Sequence, residues 1–190
     1  MSILILGVLG IGLFLVVVLI ALAGWGIAMY NRFVTLAERV ANGQAQIAAQ
    51  IESRWDAVQN LISATKQYSK HESEVLESIT EKRVGLDQNS SMKDIEENDT
   101  QLNNVVGRLI AISESYPDLK ASEVYKTTME SVNEYENNVR HSRMIYNDVV
   151  TRFNRQVKQF PTNFIAKIFK FTEKEYFERT EAKAEMPSWE

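Results

Sequence analysis

The stretch that decides the fold is residues 1–29, MSILILGVLGIGLFLVVVLIALAGWGIAM, which contains no charged side chain. An α-helix needs roughly 20 apolar residues to cross the ~30 Å hydrocarbon core of a bilayer, and this run is longer. All 21 Lys and Arg residues and all 25 Asp and Glu residues follow it, beginning with Arg32. The sequence therefore predicts one N-terminal transmembrane helix that carries a water-soluble body.

The length and flanks of this run favour an uncleaved anchor over a secretory signal peptide. A signal peptide has a basic start and an apolar core of about 7–15 residues before a small-residue cleavage site. Ala21-Leu22-Ala23 resembles such a site, but no Lys or Arg precedes the run, and the run is too long. The chain also has no cysteine, which excludes a lipoprotein anchor.

The charges beside the anchor predict its orientation. Arg32 and Arg39 flank its C-terminal side, whereas only Met1 and Ser2 stand before the apolar run. Lys and Arg collect on the cytoplasmic side of membrane helices. We therefore expect a single-pass protein of the cell (inner) membrane with its soluble domain in the cytoplasm.

Small residues recur along the anchor at spacings of about one helical turn. They are Gly7, Gly10, Gly12, Gly24 and Ala28. Because small residues let membrane helices approach closely, these five are candidate packing residues for self-association. The alternative is that glycine is simply frequent in membrane helices.

Beyond the anchor, apolar residues recur every three and four positions, the spacing of packed helices. We predict a first helix that continues to residue 79, a second that Ser91 and Asp94 cap and Pro117 ends, and a third between Ser122 and Pro161. The predicted fold class is all-α: a single N-terminal transmembrane helix continuing into an elongated antiparallel bundle of long helices. The predicted domains are the anchor at 1–29, the bundle at 30–179 and a flexible charged tail at 180–190.

Five polar residues occupy positions of the helical repeat where apolar side chains would pack best. They are Gln44, Arg54, Glu72, Glu136 and Arg143. Since buried charges are costly unless they are paired, we interpret these residues as a structural network that sets the register of the helices. Alternatively, they line a groove or a contact between copies of the chain.

An apolar cluster after Pro161 has two interpretations. It consists of Phe164, Ile165, Ile168, Phe169 and Phe171, interleaved with Lys167 and Lys170. It either folds back over the open end of the bundle or lies on a membrane surface with its lysines toward the lipid headgroups.

Motifs throughout the body resemble the LemA family. In the first half they are Tyr30-Asn31, Val40, Gln46-Ile47, Gln50, Arg54, Asp56, Asn60-Leu61, Lys66, Tyr68 and His71-Glu72. In the second half they are YPDLKA at 116–121, Glu136-Asn137, Arg143, Tyr146-Asn147, Phe153-Asn154, Phe160-Pro161 and Tyr176-Phe177. The sequence departs from the family pattern near Gln44, Ser53 and Gln59, where the family usually has a tryptophan, a second basic residue and a proline. The resemblance implies a bacterial membrane protein with an N-terminal anchor, a helical bundle and no agreed biochemical activity. Magnetosome-associated relatives in this family imply a role at membranes.

The sequence offers no catalytic or metal-binding pattern. HExxH and CxxC motifs are absent, and His71 and Glu72 are adjacent residues that do not share a helix face. A net charge of −4 without a basic stripe argues against nucleic-acid binding. We therefore predict a non-enzymatic protein with no cofactor, no metal and no nucleic-acid partner.

Two functions remain open at this point. The first is a membrane-anchored scaffold that self-assembles into a homo-oligomer, with membrane lipid and further copies of the chain as its partners. The second is a monomeric adaptor that recruits another protein to the membrane, such as a protease or an envelope-stress component.

Overall fold

The computed structural model describes residues 2–68, 74, 77, 85–86 and 90–177, with side chains at Gly7 and from residue 9 onward. Its elements are α1 (Ser2–Thr65), α2 (Met92–Ser115), α3 (Pro117–Ala121), α4 (Glu123–Lys158) and α5 (Thr162–Ile168). The described residues contain no strand. The all-α fold class is confirmed, with a long apolar helix that continues into the other helices.

The start of α1 is the one helix of the described residues that is long and apolar enough to cross a membrane. Its most apolar window has a mean hydropathy of 2.6, and none of that window is buried by the rest of the chain. Leu13, Phe14 and Ile20, for example, are all exposed. An all-round apolar helix without a protein partner is typical of a membrane-spanning segment.

Two compact units divide the fold. Unit 1 comprises Met1–Val40 and Val149–Lys174, and unit 2 comprises Ala41–Asp148 and Glu175–Glu190. The core of unit 1 is aromatic. Phe33 of α1 stacks on Phe171 with ring centroids 4.8 Å apart and meets the edge of Phe153 of α4 at 6.0 Å. Burying each such side chain contributes about 1.5–3 kcal/mol.

Unit 2 is a bundle of α1, α2 and α4. The direction of its helices follows from their contacts: Gly43 lies against Tyr146 and Arg54 against Glu136, so α4 runs antiparallel to α1. Gln44 reaches Ser90, and Arg54 reaches Asn103, so α1 and α2 run parallel. Its buried apolar residues include Ile47, Ile51, Leu61, Ile95, Leu102, Leu109, Val132 and Val139. These are the positions of the helical repeat.

Local signals explain most helix boundaries. Ser91 caps α2: its Oγ accepts from the Asp94 N–H at 3.2 Å, and the Asp94 carboxylate accepts from the Ser91 N–H at 2.8 Å, a complete capping box. The pKa of Asp94 is lowered by these bonds from Ser91. At the other end, α2 stops before Pro117, which begins α3. Ser122 caps α4 by accepting from the Tyr125 N–H at 3.2 Å.

The predicted extension of the first helix to residue 79 is wrong. Helix α1 ends at Thr65, and Lys66, Gln67 and Tyr68 form a turn in which the Tyr68 N–H donates to the Thr65 carbonyl. Thr65 is buried, and its hydroxyl bonds the Leu61 carbonyl one turn back. Hydroxyls that compete for backbone groups in this way weaken the end of a helix.

The apolar cluster after Pro161 divides between two environments. Ile165 and Ala166 of α5 are buried, and Phe171 stacks on Phe33 inside unit 1. Phe164, Ile168 and Phe169 remain exposed. The predicted tail at 180–190 lies outside the described residues.

Candidate functional site

A buried charge cluster joins the three long helices of unit 2. Arg54 of α1 is 4% exposed and Asp99 of α2 is 2% exposed. Glu136 and Arg143 come from α4, seven residues apart on one face. The helical repeat puts Arg54 between Ile47 and Leu61, both fully buried, so its side chain has to point inward.

Each charge in the cluster faces an opposite charge. Arg54 Nη1 lies 2.6 Å from Glu136 Oε2 and donates to Asn103 Oδ1 at 2.9 Å. Arg143 Nη2 pairs with Asp99 Oδ2, to which Asn103 also donates at 3.1 Å. Arg140, on the surface, adds a second guanidinium to Glu136 at 2.8 Å. The cluster therefore cross-links α1, α2 and α4 through paired charges.

Burial dominates the electrostatics of this cluster. Removal from water lowers the pKa of Arg54 and outweighs the opposing pull of Glu136 and Asp99. Removal from water likewise raises the pKa of Asp99, although Arg143 acts against it. Both directions mean that the pairing only partly offsets the desolvation cost, which is usual for buried ion pairs.

The chemistry open to this cluster is limited. Both carboxylates are engaged by guanidinium groups, and neither faces a nucleophile or an open pocket. The described residues hold no group of three or more His, Cys, Asp or Glu side chains that could ligate a metal. The arrangement fixes helix register rather than presenting an acid or a base.

The residues singled out from the sequence have different surroundings. Arg54, Glu136 and Arg143 come together in the cluster. Gln44 does not join them: its Nε2 donates to the Ser90 carbonyl at 2.7 Å, just before α2. Glu72 lies outside the described residues.

The sequence argument missed the partners on α2. Asp99, Asn98 and Asn103 were not identified, although Asn98 and Asp99 are both buried. Asn98 accepts a 2.5 Å bond from the indole N–H of the fully buried Trp55. The available signal was position, because Asp99 stands seven residues before the buried Val106 and Asn98 seven before the buried Val105.

Two asparagines of α4 hold the segment that follows α5. In unit 1, Asn154 donates to the Lys174 carbonyl and accepts from the Lys174 N–H, both at 2.8 Å. In unit 2, Asn147 makes the same pair of bonds with Phe177, at 3.2 and 2.9 Å. These bonds give a physical role to the Tyr146-Asn147 and Phe153-Asn154 motifs, whose partners lie some 20 or 30 residues away.

Tyr146 supports the same segment from α4. Its hydroxyl donates to the Glu175 carbonyl at 2.8 Å, and burial raises its pKa to about 12, so the donor proton is retained at neutral pH. The ring also lies against Gly43 of α1, where a Cβ would approach Tyr146 Cδ2 to 3.3 Å. A larger residue at Gly43 would displace this ring.

The small residues of the membrane helix have open surroundings. A Cβ added at Gly7, Gly10, Gly12 or Gly24 would meet no atom within 4 Å, and Ala28 is exposed. With successive residues turned by roughly 100°, Gly7, Gly10, Gly24 and Ala28 share one side of the helix, whereas Gly12 points the other way. We call Gly7, Gly10, Gly24 and Ala28 the small-residue face.

Each unit carries one notable groove. The groove of unit 1, about 350 Å³, is lined by Arg32, Arg39, Arg152 and Arg155 together with Thr35, Leu36 and Gln156. The groove of unit 2, about 340 Å³, is mostly polar and lies between α1 and α4, with Asp56, Asn60, Thr127, Ser131 and Tyr135 among its walls.

Comparison with known proteins identifies the family. The family model described as the LemA family matches residues 43–190. Magnetosome protein MamQ 2 of Paramagnetospirillum magneticum is 25% identical over 179 residues, which cover 80% of this chain and 66% of that protein. Magnetosome protein MamQ of Magnetospirillum gryphiswaldense is 24% identical over 174 residues, 78% of this chain and 64% of that protein. Protein LemA of Metamycoplasma hominis is 27% identical over 132 residues, 67% of this chain and 58% of that protein.

The chain thus spans 66% at most of the length of these relatives. The family match extends from the middle of α1 to the end of the chain and takes in the charge cluster, both asparagines and the YPDLKA segment. This protein belongs to the LemA family.

Proposed function

We propose that this chain is a non-enzymatic, membrane-anchored scaffold that self-assembles at the bacterial membrane. The observation that carries the proposal is the small-residue face of the anchor, which no other part of the described chain covers. In lipid, helix association depends on close backbone approach at such faces, because lipid tails are as apolar as leucine. The charges inside the bundle, by contrast, are satisfied within the chain and leave the surfaces to act.

Residue-specific cross-linking tests this proposal directly. Since the chain has no cysteine, single substitutions Gly24→Cys and Ala28→Cys introduce one thiol each, and Ala23→Cys on the opposite side of the helix is the matched control. Oxidation of the full-length protein in membranes should give disulfide dimers at Gly24 and Ala28 but not at Ala23. Equal cross-linking at all three positions would contradict a specific face.

The proposed location is the cytoplasmic face of the inner membrane. Arg32 and Arg39 are the first charges after the anchor, and the groove of unit 1 adds Arg152 and Arg155 beside them. Such a cluster next to a membrane helix suits the anionic headgroups of the cytoplasmic leaflet. A C-terminal reporter that is active only in the cytoplasm should be active; an inactive reporter with a stably expressed protein would reverse the orientation.

A monomeric adaptor is the second candidate, and the groove of unit 2 favours it. Its walls are polar and accessible, as expected for a site that docks a polar protein segment. A photo-crosslinker placed at Ser131 in cells should then capture a different protein, and Asn60→Arg on the opposite wall should abolish that adduct. If Ser131 instead captures further copies of this chain, the groove belongs to the scaffold.

A further inference from the structure

The segment around α5 carries an exposed apolar surface that unit 1 does not need for its own core. Phe160, Phe164 and Ile168 are spaced by four residues and are 73%, 56% and 69% exposed, and Phe169 is half exposed beside them. Phe160 and Phe164 touch each other, with ring centroids 5.9 Å apart. We call these four residues the α5 apolar face. Clustered exposed rings of this kind mark a surface that has a partner.

The opposite side of α5 attaches it to the membrane helix. Ile165 is buried, and its Cδ1 lies 3.9 Å from the Cβ position of Gly26. Tyr30 packs against Phe169 with ring centroids 4.6 Å apart. All these contacts lie within unit 1. Helix α5 is therefore held against the last turns of the apolar segment.

The position of this contact along α1 sets the depth of α5. Gly26 lies six residues before Arg32, the first charge, which corresponds to roughly 9 Å along a helix. Helices that lie in a membrane interface insert their apolar face about 5–10 Å into the boundary between headgroups and acyl chains. Lys167 and Lys170 are exposed on the same segment and supply the cations that such helices direct toward headgroups.

We propose that the α5 apolar face inserts into the lipid bilayer beside the anchor, so that the chain holds the membrane at two points. The proposal rests on the membrane anchoring proposed above. Lipid is the occupant because the same helix packs against residues of the anchor itself, which places its exposed rings at the level where the anchor leaves the hydrocarbon. A second copy of the chain or a soluble partner would have to reach the rings at that level.

Fluorescence quenching in nanodiscs tests the proposal. A single cysteine at Phe164 in the full-length chain is labelled with an environment-sensitive fluorophore, and the nanodiscs contain lipids with a nitroxide on the acyl chain near the headgroup or near the chain end. Leu15→Cys in the apolar segment is the control for the anchor, and Thr127→Cys, an exposed residue of unit 2, is the control for water. All three positions are exposed in the fold, so substitution does not disturb packing.

We expect the label at Phe164 to emit at shorter wavelength than the label at Thr127 and to be quenched most by the shallow nitroxide. The label at Leu15 should be quenched by both nitroxides. If Leu15 is quenched and Phe164 is not, α5 is outside the lipid and this inference is overturned, while the anchor stands. A blue-shifted but unquenched Phe164 label also overturns it, because protein then covers the rings. Loss of quenching at Leu15 overturns the anchor itself.

Discussion

Replacing Arg54 by methionine removes the cation that α1 contributes to the charge cluster and leaves Glu136 and Asp99 short of a partner. Arg54 is 4% exposed, so water does not take the place of its guanidinium. Removing one member of a buried ion pair typically costs about 3–5 kcal/mol. At roughly 2–4 °C per kcal/mol for a domain of this size, the midpoint of thermal unfolding should fall by roughly 6–20 °C.

The chain provides a matched control on the same carboxylate. Arg140 also pairs with Glu136, at 2.8 Å, but its side chain is 61% exposed. Exposed pairs contribute about 0–1 kcal/mol, so Arg140→Met should shift the midpoint by only a few degrees. Thermal unfolding of the full-length protein in nanodiscs, followed by far-UV circular dichroism, measures both variants under one condition.

A double substitution separates pairing from packing. In Arg54→Met with Glu136→Leu both members of the pair are gone, and apolar groups fill their place. Such replacements are often neutral or stabilising, so the double variant should recover most of the loss caused by Arg54→Met. If Arg54→Met is no more harmful than Arg140→Met, or if the double variant is worse than the sum of its parts, the reasoning about the cluster is refuted.

Three further predictions concern single sites. Burial raises the pKa of Asp99 above 3.8, so between that value and the folded pKa the native state binds more protons than the unfolded state, and this group's contribution to stability falls as pH rises. The free energy of unfolding of Asp99→Asn minus that of the natural protein should therefore increase across this window and then level off; a flat difference would contradict the raised pKa. Gly43→Leu should destabilise the bundle by about 1–3 kcal/mol because its side chain meets Tyr146, whereas Gly107→Ala, in open space on α2, should stabilise it by roughly 0.5–1 kcal/mol, both by denaturant unfolding. Asn154→Ala removes two backbone bonds from a buried site and should cost about 1–3 kcal/mol, and hydrogen exchange at the Lys174 amide should rise; unchanged exchange there would show that the bond does not hold the segment.

The helical repeat predicts the parts of the fold that depend on local chemistry. The rows through Phe33, Val40 and Leu61 are buried as their spacing requires, and the Ser91–Asp94 capping box starts α2. The end of α1 at Thr65 was not predictable in the same way. A polar residue at the end of an apolar row reads like any other position until its hydrogen bond to the preceding turn is seen.

The candidate sites depend on contacts between distant residues, and these limit what sequence alone can show. Arg54 stands out because it interrupts an apolar row, but Asp99 pairs with Arg143 across two helices, and no local spacing links them. The bonds from Asn154 to Lys174 likewise join residues on separate elements. The apolar cluster after Pro161 was recognisable, whereas its division into a buried side and an exposed face follows only from where α5 packs on α1.

The mass of the full-length protein in lipid nanodiscs, measured by native mass spectrometry, tests the scaffold most directly. The account predicts one defined oligomer that persists on dilution and dissociates when Gly10 and Gly24 are both replaced by leucine, while Ala23→Leu leaves it intact. A single chain per nanodisc over a wide range of protein-to-lipid ratios would contradict self-assembly and favour the adaptor.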